Sequence, residues 1–129
     1  MNTTRMAALA ASAITIGAGV VATAPPASAG DADVVRASGA CATGTWKLKA
    51  KHDDGGIEWE FEVDTNRNGQ RWQVRVRDNG DLIMSGVGVT SAPSGSFEIG
   101  RTTADKAGSD RIVARATRGD VVCVGRVTV

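Results

Sequence analysis

The chain has 129 residues, and its 15 Lys and Arg nearly balance its 14 Asp and Glu. Because the opposite charges almost cancel, no overall field favours binding to nucleic acid, and any charge-based function must come from local patches. The length is enough for one domain with a buried core and too short for two domains of ordinary size.

The first 29 residues have the three parts of a secretory signal peptide. Arg5 precedes an apolar run over residues 6–24, and the small residues 27–29, Ala-Ser-Ala, resemble a cleavage site. The alternative, a membrane-spanning helix, is disfavoured because Pro25 and Pro26 end the run. We therefore expect a secreted, extracellular chain of residues 30–129 without membrane association. Arg5 is the one charged residue that is removed, so the exported chain is neutral near pH 7.

Residues 30–40 are small and polar without sustained periodicity, and we interpret them as a flexible leader to a domain over residues 41–129. Trp46, Leu48 and Ala50 then alternate with lysines, which predicts a strand over residues 45–51. Alternating apolar and polar residues predict six further strands, over residues 57–63, 70–77, 82–90, 96–99, 110–117 and 121–129.

Two strand registers depend on turn geometry. After the hairpin signal of residues 78–80, Asp-Asn-Gly, a two-residue turn buries Ile83 and Val87, whereas a bulged three-residue turn buries Leu82 and Met84. Both registers remain open. In the last hairpin, tight closure at residues 117–120 sets Ala114 opposite Cys123 and Ile112 opposite Gly125.

About seven short strands without a convincing helix predict an all-β antiparallel sandwich. Residues 107–117, AGSDRIVARAT, resemble the penultimate strand of bacterial immunoglobulin-like domains. The whole exported region is similar to small exported proteins of high-GC Gram-positive bacteria. This resemblance implies an immunoglobulin-like sandwich that serves as an adhesive, spacer or carbohydrate-associated module, and it transfers no catalytic residues.

The two cysteines, Cys41 and Cys123, both lie in the exported part, where an oxidising environment lets them pair. We expect one disulfide. A metal site is the alternative, but the sequence has no CxxC spacing and offers only His52 as a further ligand. The pattern differs from that of antibody domains, because Cys41 precedes the first predicted strand and Cys123 lies in the last.

The surface charge depends on one topological choice. If the strands on either side of residues 64–69 form a hairpin, Glu58 and Glu62 lie opposite Arg75 and Arg71, which gives a neutral ladder. If the chain instead crosses between sheets, one outer face collects the arginines Arg71, Arg75, Arg77, Arg111, Arg115 and Arg126. The other sheet then exposes Lys47, Lys49, Glu58, Glu60, Glu62 and Glu98. A gathered arginine face suits the phosphates of a wall polymer or an acidic polysaccharide.

Residues 64–69, DTNRNG, match the opening of a calcium loop, which makes Asp64, Asn66 and Asn68 candidate ligands. The position of the bidentate Glu is occupied by Arg75, so an Asx-rich turn is the favoured interpretation. Trp46, Trp59 and Trp72 all lie in the inward phase, which favours core packing over a stacking platform for sugars.

The sequence offers little for catalysis. His52 is the single histidine and lies beside a turn, and no nucleophile or zinc motif is present. We expect a non-enzymatic binding or structural module of the cell envelope or medium that is monomeric or weakly self-associating. We expect no cofactor, and a partner that is a cell-wall polymer or a protein and not nucleic acid. The alternative is a secreted inhibitor or effector that presents residues 91–95 or 104–110 to another protein.

Overall fold

The computed structural model describes residues 33–129, so the predicted signal peptide and the start of the predicted leader lie outside the described residues. This part of the chain is all-β. Its eight strands are β1 (Val35–Cys41), β2 (Gly44–Asp53), β3 (Gly56–Asp64), β4 (Arg71–Asp78), β5 (Asp81–Val89), β6 (Ser96–Ala104), β7 (Arg111–Arg118) and β8 (Val121–Thr128). Between residues 33 and 129, no helix has the length and apolar character needed to cross a membrane.

The strands form two antiparallel sheets of four. The first sheet has the order β1-β2-β3-β6 and the second has the order β5-β4-β7-β8. The predicted antiparallel sandwich is confirmed, with eight strands where the sequence indicated about seven. Burial alternates along β3 and β4, because each strand places its apolar side chains between the sheets and its polar side chains towards solvent. This alternation is the pattern from which the sandwich was predicted.

The additional strand, β1, lies where we predicted a flexible leader. Residues 35–40 differ from that prediction because they pair with β2, with Val35 opposite Ala50 and Gly39 opposite Trp46. Ala37, Ser38 and neighbouring small residues conceal the alternation in the sequence, although burial does alternate along the strand. Small side chains give a weak periodic signal even where the backbone is fully paired.

The β4–β5 hairpin combines the two registers that the sequence left open. Its turn has two residues, Asn79 and Gly80, which adopt φ angles of 49° and 91° as a primed turn requires. The register then shifts between Val76 and Arg77, so that Ile83 is an extra residue. Ile83 and Met84 are both half-buried, and Val87, which a regular two-residue hairpin would bury, is exposed.

The predicted register of the β7–β8 hairpin is wrong by two positions. Ala116 lies opposite Cys123, and Ala114 lies opposite Gly125. The turn begins one residue later than predicted, because Gly119 with φ 56° occupies its first position and Arg118 stays in the strand. A shift of two preserves the face of each side chain, so the predicted inward residues still face the core.

Large side chains in the core pack against glycines. Trp59 and Trp72 are 1% and 3% exposed, and the half-buried Trp46 packs against the same cluster. A Cβ added at Gly39 or at Gly125 would lie within 3 Å of the Trp46 ring, so the indole needs both glycines. The three tryptophans therefore belong to the core, as the inward phase predicted.

The disulfide between Cys41 and Cys123 joins β1 to β8, which are edge strands of different sheets. It confirms the predicted pairing. It also explains the departure from the antibody pattern, because the bridge closes one side of the sandwich instead of linking the centres of the sheets. The edges of β5 and β6 form the opposite side.

Removing the disulfide by Cys41→Ala with Cys123→Ala should lower the free energy of unfolding by about 2–5 kcal/mol, because the bridge constrains a long segment of the unfolded chain. Urea unfolding of residues 30–129 measures the change, and the wild type under reducing conditions is the control. Identical midpoints for the variant and the oxidised wild type would contradict a stabilising role.

Candidate anion-binding face

The chain crosses from one sheet to the other between β3 and β4. β3 lies in the first sheet and β4 in the second, so Glu58 and Glu62 do not lie opposite Arg75 and Arg71. The hairpin alternative is therefore wrong and the crossing alternative is correct. As a result, the three arginine-bearing strands β4, β7 and β8 are neighbours in the second sheet.

The outer surface of the second sheet forms what we call the arginine face. Its six arginines are all exposed: Arg71, Arg75, Arg77, Arg111, Arg115 and Arg126. Arg75 lies directly opposite Arg115 on the neighbouring strand. Like charges directly opposite each other repel, so this arginine pair lowers the stability of the second sheet.

The other outward residues of this face carry no carboxylate. They are Gln73, Leu82, Ser85, Val87, Val89, Val113, Thr117, Val122, Val124 and Thr128. Within residues 33–129 none of the six arginines forms an ion pair, and the one hydrogen bond that their guanidinium groups form runs from Arg77 Nη1 to the Gly80 carbonyl at 3.1 Å. The guanidinium groups therefore keep most of their donors for solvent or for a ligand.

The outer surface of the first sheet is arranged in the opposite way. Lysines of β2 pair with glutamates of β3 at three successive positions: Lys47–Glu62 at 3.9 Å, Lys49–Glu60 at 2.5 Å and Lys51–Glu58 at 3.7 Å. Exposed pairs of this kind each contribute only a few tenths of a kcal/mol to stability. These pairs do neutralise the outer surface of the first sheet. Of the two outer surfaces, only the arginine face therefore has unbalanced charge.

The centre of the arginine face is a shallow depression with an aliphatic floor. Val113 lies between Arg77 on β4 and Arg126 on β8, and Val124 lies beside Arg115. Planar guanidinium groups around an open apolar floor suit a flat or extended anion, because each fork can donate two parallel hydrogen bonds to one oxyanion.

The calcium-like segment forms an Asx turn, as the favoured interpretation predicted. The backbone N–H of Asn66 donates to Asp64 Oδ1 at 2.9 Å, and the Thr90 hydroxyl donates to the Arg67 carbonyl at 2.6 Å. In the part of the chain that the structure describes, no three His, Cys, Asp or Glu side chains are grouped so that they could hold a metal ion. Asn68 lies in the same turn, between two β-strands of different sheets.

Sequence reasoning missed a buried pair of carboxyl groups at one end of the sandwich. Asp78 and Asp110 are both 0% exposed. The Lys106 amide donates to Asp110 Oδ1 at 3.2 Å, and Lys106 Nζ bridges the Asp78 carbonyl and Asp81 Oδ2, each at 2.7 Å. The signal was the phase of β4, in which Trp72, Val74 and Val76 are followed by Asp78 at the next inward position.

The pKa values of the two buried carboxyl groups are shifted in opposite directions. Burial, together with the neighbouring Asp110 carboxylate, raises the pKa of Asp78 to about 6. Burial also acts to raise the pKa of Asp110, but interactions with the side chains of Asp105 and Asp78 and the hydrogen bond from the Lys106 amide outweigh it and lower that pKa. Neither Asp78 carboxyl oxygen has a hydrogen-bond partner among residues 33–129, so burial of its ionised form is not compensated by a donor.

The single histidine lies at the same end of the molecule. His52 Nδ1 is 3.2 Å from Asp105 Oδ2, and the side chains are 52% and 33% exposed. The structure thus gives His52 a partner other than Asp53 and Asp54, the two acids beside it in the sequence.

The comparisons with known proteins give no match: no family model, no curated protein and no solved structure is similar to the chain.

The Asp78 carboxyl should make stability fall as the pH rises through about 6. Its folded-state pKa of about 6 lies above the 3.8 of an ordinary exposed aspartate, so the folded protein binds more protons than the unfolded chain between these pH values, and this contribution to stability is lost as the pH rises through about 6. Asp78→Asn supplies a permanent amide donor to Asp110. This variant should melt at a higher temperature than the wild type at pH 7.5 and should show no fall between pH 5 and 7.

The control is Asp81→Asn, which removes the exposed partner of Lys106. Because that ion pair lowers the pKa of Asp81, its contribution is lost as the pH falls, which is the opposite direction. Calorimetric melting of the three proteins from pH 4 to 8 separates the effects. An Asp78→Asn variant with the wild-type pH profile would show that Asp78 carries no proton.

Proposed function

We propose that the chain is a secreted, non-enzymatic binding module that holds an anionic polymer on the arginine face. The observation that carries this proposal is the gathering of six exposed arginines on a surface that has no carboxylate and, within residues 33–129, no ion pair. The signal-like residues 1–29 support secretion, and a disulfide is compatible with an extracellular protein.

The dimensions of the face favour a polymer over a small anion. Arg71 and Arg77 are six residues apart on β4, which corresponds to about 20 Å along the strand. The arginines occupy three adjacent strands at a spacing of about 4.8 Å, so the charge covers a broad, flat area. A single phosphate would contact one or two of them. A chain of repeated phosphate, sulfate or carboxylate groups can contact most of them at once.

We further propose that the domain is immunoglobulin-like. Without β1, the sheets have the orders β2-β3-β6 and β5-β4-β7-β8. These orders correspond to A-B-E and C′-C-F-G in the immunoglobulin scheme. The crossing from β3 to β4 then corresponds to the B–C connection, which is the step that separates the glutamates of β3 from the arginines of β4.

A second candidate function is inhibition or modulation of another protein through the loop between β5 and β6. This loop is held firmly: the Gly95 amide donates to the Ser91 carbonyl at 2.9 Å, and the Thr65 amide donates to the Gly95 carbonyl at 3.0 Å. Ser91, Ala92, Pro93 and Ser94 are nevertheless exposed. A rigid exposed loop is the usual form of a protein-binding surface on a sandwich.

Replacing two central arginines, Arg75→Ala with Arg115→Ala, should weaken binding to immobilised heparin and to inorganic polyphosphate roughly 10- to 100-fold, because each loses charge-assisted hydrogen bonds. The variant should remain folded, since the substitution also removes the repulsion between opposite guanidinium groups. Salt elution and titration measure the change.

The matched control is Lys47→Ala with Lys49→Ala, which removes the same charge from the first sheet, where both lysines are paired with glutamates. It should bind nearly as the wild type does. Equal losses in the two variants would indicate a net-charge effect and no defined face. Elution of the wild type at very low salt would exclude polymer binding, and recovery of one protein from culture filtrate would favour the second candidate.

A further inference from the structure

Strand β5 is an edge strand that has a bulge at Ile83 but lacks the other features that usually protect edges. It pairs with β4 on one side, and no second strand pairs with its other side in the described part of the chain. Residues 82–89, LIMSGVGV, contain neither a charged residue nor a proline. Natural edge strands are commonly protected by lysines, prolines or a covering loop, because their free N–H and C=O groups can pair with another chain.

The exposed apolar surface is concentrated on this strand. Four large apolar residues of the described chain are well exposed, and three of them lie on β5: Leu82 at 50%, Val87 at 39% and Val89 at 47%. The fourth, Val122 at 40%, lies on β8. All four point to the same side of the second sheet as the arginines. The edge of β5 therefore also carries an apolar rim.

The other edges are better protected. β1 and β8 are joined by the disulfide, which brings those two edges together. β6 carries Glu98 and Arg101, both exposed. A partner strand would have to neutralise or displace these charges on β6, whereas β5 presents none after Asp81.

We propose that β5 pairs antiparallel with β5 of a second copy of this chain. The bulge at Ile83 limits regular pairing to residues 84–89. Opposite residues in an antiparallel pair lie on the same face, so the outward Ser85, Val87 and Val89 must meet one another. The register centred on Val87 sets Val87 against Val87 of the second copy and places Ser85 against Val89.

A second copy fits this edge because antiparallel pairing of two identical strands is self-complementary. Residues 82–89 carry no charge, so the two β5 strands do not repel each other. The nearest arginines of the two copies lie on the β4 strands, three strand spacings apart, which is about 14 Å. That distance exceeds the Debye length of about 8 Å at physiological salt, so the arginine faces scarcely oppose the pairing.

The dimer is weak. Five paired residues, 85–89, span about 17 Å, which is shorter than the contact of a stable dimer of standard size. We expect a dissociation constant on the order of 100 μM. The chain is then monomeric in dilute solution and dimeric when concentrated, which agrees with the weak self-association expected from the sequence. This inference does not depend on polymer binding by the arginine face.

Sedimentation equilibrium of the exported chain from about 10 μM to 1 mM tests the proposal, together with amide hydrogen exchange. Val87→Lys should abolish the concentration dependence, because it places two ammonium groups directly opposite each other. In the wild type, the alternate amides of residues 85–89 that point away from β4 should gain protection at high concentration. Val122→Lys is the matched control, since Val122 is as exposed as Val87 and lies on the same sheet surface; it should dimerise as the wild type does.

A wild type that stays monomeric at 1 mM would overturn the proposal. So would equal association of Val87→Lys and the wild type, or a dimer that Val122→Lys disrupts and Val87→Lys does not, which would assign the contact to β8. Both variants add a lysine to the arginine face, so heparin retention is compared between the wild type and Arg75→Ala with Arg115→Ala, which leaves β5 unchanged and reports on the proposed function separately.

Discussion

The structure depends on the burial of the apolar faces of β3 and β4, which lie in opposite sheets, in one shared core. Trp59 and Phe61 of β3 and Val74 and Val76 of β4 are at most 1% exposed. Two adjacent strands of one sheet cannot cover each other's faces, because side chains stand perpendicular to the sheet. The crossing that this burial requires also carries the glutamates to one outer surface and the arginines to the other, so core packing determines the distribution of charge.

The two open sides of the sandwich, one formed by the edges of β1 and β8 and the other by those of β5 and β6, are closed in different ways. On the side of β1 and β8, Gly39 and Gly125 allow the Trp46 ring to lie close to the backbone, and the disulfide joins the edges. On the side of β5 and β6, the Phe97 ring occupies the space where a side chain at Gly88 would lie, but no covalent link is present. Glycines thus let an aromatic ring pack closely on both sides, whereas only the side of β1 and β8 has a disulfide. On the side of β5 and β6, the outer backbone N–H and C=O groups of β5 have no strand to pair with.

Much of the fold could be predicted from period-two alternation, as for Ile57, Trp59 and Phe61, because half-buried strands impose that pattern. β1 was missed because its side chains are small. The bulge at Ile83 was missed because either neighbouring phase is apolar. The choice between hairpin and crossing was open because Glu58 and Arg75 suit a ladder as well as they suit separate faces. The Asp78–Asp110 pair was missed because an aspartate beside a turn is ordinarily a turn former.

The arginine face carries an energetic cost that the rest of the domain offsets. Opposed guanidinium groups and a buried carboxyl with a raised pKa both lower stability at neutral pH, and the dense core and the disulfide supply stability against them. A bound polyanion would relieve the repulsion, so binding and stability are coupled. Antiparallel pairing of β5 has its two-fold axis perpendicular to the sheet, which places both arginine faces on one side. A polymer that contacts one copy would then meet the second at high effective concentration, and a weak contact between copies is enough to lengthen the binding surface.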